Sequence, residues 1–238
     1  MKKLKINKNI YSENAPWTFG KNIALKFDSH IEKSIPMYKE TQWLCNEISD
    51  FFIKENCIVY DLGCSTGTYL KSLASRHKSK KQVTFYGVDV VKQMINFAKK
   101  KNYSKNIKYL HKDITKLKMK KNDFTISFFT IQFIKQNYRQ TMINKIYKNL
   151  NWGGAFFFAE KVRSYDARTQ DMMNEIYKEW KLLNGFTDRE INAKTKSLKG
   201  VLDPFSTKGN NEMLKRAGFS DISSIAKFIC FEIFLAIK

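Results

Sequence analysis

The sequence predicts an α/β fold, in which helices pack on both faces of a parallel sheet. Between residues 57 and 160, short apolar runs alternate with segments of helical spacing, which is typical of repeated strand–helix–strand units with right-handed crossovers. The apolar runs are nearly continuous, as expected for strands that are buried on both faces. Two further β-rich runs, 222–226 and 229–237, follow each other directly and predict an antiparallel hairpin at the edge of the sheet.

Two amphipathic helices are predicted before the first strand. Apolar residues recur with helical spacing over 21–35 and again over 39–53, and Pro36 separates the two segments. Residues 1–20 are expected to form a loosely structured lead in which a pair of aromatic residues packs over the core.

The central segment divides into strands and helices by the same criteria. Strands are predicted over 57–61, 83–89, 107–111, 124–129 and 155–160, helices over 67–77, 91–101 and 137–150, and a turn over Asn151–Gly154.

A polar helical section separates the fifth strand from the terminal hairpin. Residues 165–207 hold no strand pattern, and Thr187 with Glu190 has the spacing of a capping box. We expect this insertion to cover the substrate side of the sheet or to form a dimer contact. A last helix is predicted over 208–217, with Gly218 as its C-terminal cap.

Length and composition favour one globular domain over residues 1–238, with an N-terminal helical cap over 1–55 and the insertion over 165–207. No apolar run approaches the ~20 residues that span a bilayer, and the basic start lacks the apolar segment of a secretory signal. The four cysteines are scattered and the histidines isolated. We therefore expect a cytoplasmic protein with reduced thiols and no metal site.

The formal net charge of +21 would attract anionic partners. Lysine outnumbers arginine and accompanies many Asn, Ile, Phe and Tyr residues, and all of these share A/T-rich codons. The basic residues are also spread over the chain rather than gathered in one arm. A small-molecule substrate is therefore favoured over nucleic acid, which stays possible, and no membrane partner is expected.

The motif that dominates the sequence is the turn at residues 59–67. A short apolar run ends at Asp61–Leu62, and Gly63 and Gly67 then bracket three small residues before a helical segment. Glycines in such a turn let a ligand approach the backbone N–H groups at the start of the helix, although a plain structural turn is the alternative. Asp89 ends the next strand and is placed to accept both hydroxyls of a ribose.

These residues resemble the class I S-adenosylmethionine-dependent methyltransferases. The turn at 61–67, Asp89, the pair Asp113–Ile114 after the third strand and the Asn151–Gly154 segment carry the resemblance. It implies a Rossmann-like sheet of seven strands, with N-terminal helices and a helical insertion after strand five.

The resemblance extends, from about residue 17 to the end, to the bacterial carboxy-S-adenosylmethionine synthases of tRNA wobble-uridine modification. That family is dimeric through its inserted helices, so a homodimer is implied here. The segments that are similar, in order, are 27–28, 34–38, 60–65, 130–133, 145–147, 150–151, 160–161, 184–186 and 217–219.

The resemblance implies a site for S-adenosylmethionine as cofactor. Asp61 and the turn would approach its methionine part and sugar, Asp89 its ribose and Asp113 its adenine, while Tyr38 would close over it. For each acid the alternative is a cap at a strand end. The complete set expected to bind the cofactor is Tyr38, Asp61, Gly63, Cys64, Ser65, Gly67, Asp89, Val90, Asp113, Ile114 and Phe128.

Two positions depart from the synthase pattern. The family arginine that holds the product's carboxylate aligns with Thr195, and the asparagine near the end of strand four aligns with Phe128. Lys196 is adjacent, but a lysine lacks the planar fork of arginine.

Because of these two departures, the sequence favours methyl transfer to a small molecule. The alternatives are carboxy-S-adenosylmethionine synthesis, an RNA-directed methyltransferase, and a binding protein without activity. Catalytic residues are not identified, although Glu160 and Tyr38 are candidate bases. Aromatic residues that could line an acceptor pocket are Trp17, Phe128, Phe129, Tyr165 and Trp180.

Overall fold

The computed structural model describes residues 4–7, 10–12, 24 and 27–238. Helices within these residues are α1 (Phe27–Ser34), α2 (Tyr38–Phe52), α3 (Thr68–Arg76), α4 (Lys92–Lys101), α5 (Gln136–Asn149), α6 (Ala167–Leu183), α7 (Asp188–Leu198) and α8 (Thr207–Ala217). Strands are β1 (Leu4–Asn7), β2 (Ile10–Ser12), β3 (Ile58–Leu62), β4 (Thr84–Asp89), β5 (Ile107–His111), β6 (Asn122–Phe128), β7 (Leu150–Lys161), β8 (Asp221–Phe228) and β9 (Phe231–Ile237).

A seven-stranded mixed sheet forms the centre of the fold, in the order β5-β4-β3-β6-β7-β9-β8. The first five of these strands are parallel, while β9 is antiparallel to both β7 and β8. The predicted Rossmann-like fold and its terminal hairpin are therefore confirmed. The chain order reverses between β3 and β6, and ligands of such sheets bind at the carboxyl ends of the strands at this point.

The core lies on both faces of the sheet, because β7 is apolar on both of its sides. Phe156, Phe157 and Phe158 are fully buried. The rings of Phe156 and Phe158 stack at 4.7 Å on one face, while Phe157 packs on the other. The four cysteines are buried free thiols, as predicted.

The N-terminal lead differs from its prediction where the structure describes it. Strands β1 and β2 pair with each other as a small antiparallel unit, and the sequence pattern did not indicate them. The aromatic pair of residues 17–19 lies outside the described residues. Helix α1 is described from Phe27, and most of the earlier part of its predicted range lies outside the described residues.

The predicted turn at Asn151–Gly154 is wrong, because these residues are part of β7. Leu150 pairs with Asn122 and Ala155 with Phe124, so β7 holds extra residues that form an irregularity in the ladder. Gly153 takes φ +74° within it and donates to the carbonyl of Lys238 at 2.8 Å. The glycines therefore serve a bulge in a strand.

The helical insertion and the last helix match their predictions closely. Thr187 and Glu190 form the capping box at the start of α7, and Gly218 ends α8 with φ +112°. None of the described helices is both long enough and apolar enough to cross a membrane.

Candidate functional site

The turn after β3 is held against β4 by backbone hydrogen bonds. The N–H groups of Gly63 and Cys64 both donate to the carbonyl of Val88, at 2.8 and 3.0 Å. Gly63, Ser65 and Gly67 have positive φ angles of 89°, 50° and 74°, so the backbone curls tightly before α3 begins. The turn is thus a fixed structure on the end of the sheet.

Glycine is required at Gly63 because of a neighbouring loop. A Cβ atom on Gly63 would overlap the side chain of Thr130, which follows β6. A Cβ atom on Gly67 would lie 2.6 Å from the hydroxyl of Tyr109. The two glycines therefore let the loop after β6 and a side chain of β5 approach the turn closely.

Asp89 organises the far side of the turn. Its Oδ2 accepts the N–H of Ser65 at 2.9 Å, and its Oδ1 accepts the N–H of Val91 at 2.8 Å. An ionised carboxylate offers about four acceptor positions, so acceptor capacity remains for a ligand. Burial raises the pKa of Asp89 despite these bonds.

Asp61 lies deeper, at the end of β3. It is 3% exposed, and its pKa is raised to about 7, first by burial and second by the charge of Asp89. Helix α1 closes this side, because both carboxylate oxygens of Asp28 accept hydroxyl hydrogen bonds at 2.8 Å from Thr66 and Thr68. The two carboxyl groups, Asp61 and Asp89, give the site its negative character.

Asp113 caps the short 3-10 turn that follows β5. Its Oδ1 accepts from both the backbone N–H and the hydroxyl of Thr115, at 2.8 and 2.7 Å. Burial alone would raise the pKa of Asp113, but these bonds lower it below its usual range. Oδ1 of Asp113 therefore acts as the cap that the sequence offered as an alternative. The residue also lines the cavity that is described next.

One large cavity, of about 1230 Å³, lies over the carboxyl ends of the strands. It exceeds the roughly 300–1,000 Å³ of a typical ligand pocket, so it has room for more than one ligand. The predicted residues that line it are Tyr38, Asp61, Gly63, Cys64, Ser65, Asp89, Val90, Asp113, Ile114 and Phe128. Gly67 and Glu160 are not among its lining residues.

Glu160 holds the backbone of the loop that follows β6. It is 3% exposed, and its two oxygens accept the N–H groups of Ile131 and Gln132 at 3.0 and 2.8 Å. Burial raises its pKa to about 8. A carboxylate so engaged, away from the cavity, is a structural partner of the loop, so the structure does not support Glu160 as a base.

The predicted aromatic group is divided. Phe128 and Phe129 line the cavity, and the ring of Phe128 lies 4.7 Å from that of Tyr69. Tyr165 is 90% exposed. Trp180 stacks on Tyr177 of the same helix but does not itself line the cavity. Trp17 lies outside the described residues.

Tyr38, the other candidate base, also lines the cavity. Burial raises the pKa of its hydroxyl far above the ordinary value, and the charges of Asp28 and Asp61 raise it further. The hydroxyl therefore stays protonated at neutral pH, which disfavours a role as a base.

Lysines that line the cavity were not predicted from the sequence. We call three of them the lysine group: Lys161 at the end of β7, Lys181 on α6 and Lys194 on α7. The sequence of α6 contains a pattern from which this part of the cavity wall could have been predicted. Polar or aromatic residues recur there at helical spacing, and all of them line the cavity: Gln170, Asn174, Tyr177 and Lys181.

The cation that lies beside Thr195 in the cavity is not the one that the sequence analysis named. The sequence drew attention to Lys196 as the cation beside Thr195, but Lys196 is exposed. Thr195 and Lys194 line the cavity instead. The cation that α7 presents to the site is therefore on the other side of Thr195 in the chain.

The chain is similar to known proteins over most of its length. A family model described as "Methyltransferase domain" matches residues 59–154. The carboxy-S-adenosyl-L-methionine synthase of Staphylococcus epidermidis is 38% identical over 93% of this chain and 97% of its own length. That of Campylobacter lari is 34% identical over 92% of this chain and 94% of its own.

Among solved structures, human N-acetylserotonin methyltransferase in complex with S-adenosylmethionine has a similar fold. It superposes with a TM-score of 0.62 at 16% identity, over 92% of this chain and 56% of its own. This likeness establishes the fold, a class I methyltransferase fold that holds S-adenosylmethionine in that neighbour.

Proposed function

Because this chain belongs to the family of the carboxy-S-adenosyl-L-methionine synthases, we propose that it transfers a carboxyl group to S-adenosylmethionine. The observation that carries the proposal is the span of the similarity, 38% identity over 93% of this chain and 97% of the relative. The chain is an enzyme with S-adenosylmethionine as its cofactor. The similarity thus favours the alternative drawn from the sequence over plain methyl transfer.

The site residues fit this cofactor chemically. Asp89 keeps free acceptor positions for the ribose hydroxyls, and one oxygen of Asp113 is left for the adenine amino group. Asp61, a buried acid on the same cavity, suits the positively charged methionine part. Tyr38, at the start of α2, would cover the ligand. These assignments are part of the proposal.

The reaction balances without a protein base when the donor is prephenate, the carboxyl donor of the resembling family. When bound, S-adenosylmethionine supplies a sulfonium methyl group whose carbon exchanges one proton for the donor's carboxyl carbon. The donor loses that carboxyl group and its ring hydroxyl as its ring becomes aromatic, and the hydroxide and the proton leave as water. The cavity then has to align the reactants and exclude bulk water.

Methyl transfer is the second candidate, and one observation favours it. Phe128 and Thr195 both line the cavity, and they stand where the synthases resembled by this sequence have an asparagine and an arginine. Neither residue can pair with a carboxylate as a guanidinium does. Under this alternative the cavity would hold an apolar methyl acceptor against Phe128.

Mass spectrometry distinguishes the two candidates. The purified chain is incubated with S-adenosylmethionine and prephenate carrying ¹³C in its ring carboxyl group. The proposal predicts a product that is heavier than the cofactor by the mass of CO₂ and carries the label. Formation of S-adenosylhomocysteine without any labelled product would contradict it.

A further inference from the structure

Although lysines occur along the whole chain, the fold concentrates many of them at one edge of the sheet. Residues 99–108 and 118–121 hold eight lysines and no acidic residue, so 14 of the 238 residues carry +8 of the net charge of +21. All eight are exposed, and none lies in an ion pair among the residues that the structure describes. We call these two stretches the basic edge.

The two stretches meet over one aromatic ring. The ammonium nitrogens of Lys108 and Lys120 lie 5.7 and 6.0 Å from the centre of the Tyr86 ring. Tyr86 stacks on Tyr60 at 4.9 Å, and the hydroxyl of Tyr60 accepts the N–H of Lys120 at 3.1 Å. Both rings are buried, so β3 and β4 hold the two stretches together as one charged surface beside the outer strand β5.

The turn that leads into β5 places an aromatic ring among these lysines. The hydroxyl of Tyr109 donates to the carbonyl of Asn102 at 2.9 Å, and the ammonium group of Lys71 donates to the carbonyl of Tyr103 at 2.6 Å. The backbone of the turn is therefore fixed. The side chain of Tyr103 is nevertheless 67% exposed, with a lysine two residues away on either side in the chain.

Protection of the sheet edge does not account for this surface. Lysines on an exposed edge strand prevent pairing with another sheet, and β5 is the outer strand on this side. Of the eight lysines, only Lys108 lies within β5, while three lie at the end of α4, where they suit the negative end of the helix dipole. The remaining four are in connecting segments and serve neither purpose.

We propose that the basic edge binds a single-stranded nucleic acid. Lysine ammonium groups bind phosphates as point charges, and an exposed aromatic ring beside them is a platform on which an unpaired base stacks. A membrane surface fits less well, because membrane-binding surfaces combine lysines with apolar residues that enter the lipid. Within the two stretches, which the structure describes in full, Tyr103 is the only exposed large apolar side chain.

The basic edge is separate from the cavity, so the nucleic acid would be a docking partner and not the substrate. The two stretches lie at the amino ends of β5 and β6, whereas the cavity lies over the carboxyl ends of the strands. None of their residues lines the cavity. Nucleic-acid binding at this edge is therefore independent of the reaction that the cavity carries out.

Fluorescence anisotropy measures the binding directly. Labelled oligouridylate of about 15 nucleotides, near the upper site size of a single-strand binding domain, is titrated with the full chain, as is oligothymidylate of the same length. We expect both strands to bind, with a Kd that increases as salt rises from about 50 to 200 mM. An abasic strand of the same length keeps the phosphates but not the bases, and it should bind more weakly.

Substitution of one lysine from each stretch tests the charge. Lys108→Gln/Lys120→Gln should raise the Kd for oligouridylate about tenfold or more at low salt and reduce the slope of log affinity against log salt by about 1.4. The matched control, Lys196→Gln/Lys215→Gln, removes the same charge from exposed positions of α7 and α8 and should change the Kd little.

Substitution of the ring tests stacking. Tyr103→Ala should raise the Kd for oligouridylate about fivefold or more, leave the salt slope unchanged and bind the abasic strand as the unaltered chain does. The S-adenosylhomocysteine affinity of every variant should be unchanged, because none of the substituted residues lines the cavity; this measurement shows that the variants fold.

Three outcomes would overturn the proposal. Equal changes of Kd in the lysine variant and its control would mean that binding follows total charge and not this surface. Unchanged oligouridylate binding in Tyr103→Ala would exclude stacking and with it the preference for a single strand. Binding to vesicles of phosphatidylserine and phosphatidylcholine, without binding to either oligonucleotide, would identify the surface as a membrane contact.

Discussion

At the scale of single residues, Gly63 shows how a sequence motif becomes a steric requirement. Substitution by Ala combines an unfavourable positive φ, which costs about 1–2 kcal/mol, with overlap on Thr130. Thr130 Oγ1 donates to the carbonyl of Phe128 at 3.0 Å, so moving it also disturbs the cavity wall. We expect Gly63→Ala to lower the free energy of unfolding by about 1–3 kcal/mol more than φ strain alone.

Gly153→Ala is the matched control, because Gly153 also has a positive φ, of 74°, but a Cβ atom added there would have no other atom within 4 Å. Urea unfolding of both variants measures the difference. Equal destabilisation would mean that the contact with Thr130 carries no cost.

Asp89 is expected to discriminate ribose through its free acceptor positions. Asp89→Asn should raise the Kd for S-adenosylhomocysteine about tenfold or more, because hydrogen bonds to a carboxylate are worth about 1.5–3 kcal/mol. If Asp89 served only to hold Ser65 and Val91, the substitution would lower the affinity for every ligand alike. Calorimetry with the 2′-deoxy analogue separates the roles: the unaltered chain should prefer the ribose form, and the variant should lose that preference.

Residue positions were predictable where a local motif fixes them. The turn glycines and the acids at the ends of β3 and β4 and after β5 follow from spacing on parallel strands, and all three acids reach one cavity. The lysine group was not predictable, because Lys161, Lys181 and Lys194 come from separate elements. The docking of α6 and α7 against α1 and the end of β7 brings them together.

At the scale of elements, the loop after β6 depends on a buried acid from β7. The pKa of Glu160 is raised to about 8 by burial, from an ordinary value of 4.5. The folded state therefore binds more protons than the unfolded state between about pH 4.5 and 8. The contribution of Glu160 to stability falls as pH rises through this window, by at most about 1.4 kcal/mol per pH unit.

Glu160→Gln removes this titration. We expect the stability of the unaltered chain, relative to the variant, to be greatest near pH 5 and least above pH 8, as measured by urea unfolding across that range. A stability difference that does not change with pH would contradict the raised pKa. S-adenosylhomocysteine affinity at about pH 5 should change little, because Glu160 does not line the cavity.

The elements of the sheet were predicted to within a few residues because their apolar runs and turn signals agree. The exception is the start of β7, where glycines indicated a turn. Gly153 and Gly154 pair there with the C-terminal Lys238. This partner comes from a residue far along the chain, and a local pattern holds no information about it.

At the scale of the whole molecule, the electrostatics of the cavity should make binding of prephenate, the donor under the proposed function, pH-dependent. The pKa of Lys181 is lowered to about 8 and that of Lys194 to about 7, in each case first by burial and then by neighbouring lysines. These ammonium charges are therefore lost as pH rises through that range.

The other titratable groups around the lysine group do not reverse this trend. His30 on α1 stays neutral, and burial raises the pKa of the Cys230 thiol, between β8 and β9. Lys199 and Arg163 add positive charge that lowers the pKa of Lys161, after the larger effect of burial. The phenol of Tyr177 stays protonated, because burial raises its pKa far above the ordinary value.

The Kd for prephenate on the chain loaded with S-adenosylhomocysteine should therefore increase about tenfold or more from about pH 6 to about pH 9. Calorimetry at both values checks this, and Lys181→Gln should show a smaller change. A Kd that is constant over this range would mean that the lysine group does not bind prephenate.

The assembly of the molecule stays a prediction. A homodimer would use the inserted helices, and α6 exposes Met172, Ile176 and Leu183 on its surface. The single-domain organisation and the preference for a small molecule over nucleic acid are likewise predictions from the sequence.

The fate of the cofactor's methyl hydrogens tests the central claim most directly. The chain is supplied with prephenate and with S-adenosylmethionine whose methyl group carries three deuterium atoms, and the products are weighed by mass spectrometry. Carboxyl transfer predicts a cofactor-derived product that keeps two deuterium atoms and gains a carboxyl group. Unlabelled S-adenosylhomocysteine, with all three deuterium atoms on an acceptor, would contradict the account.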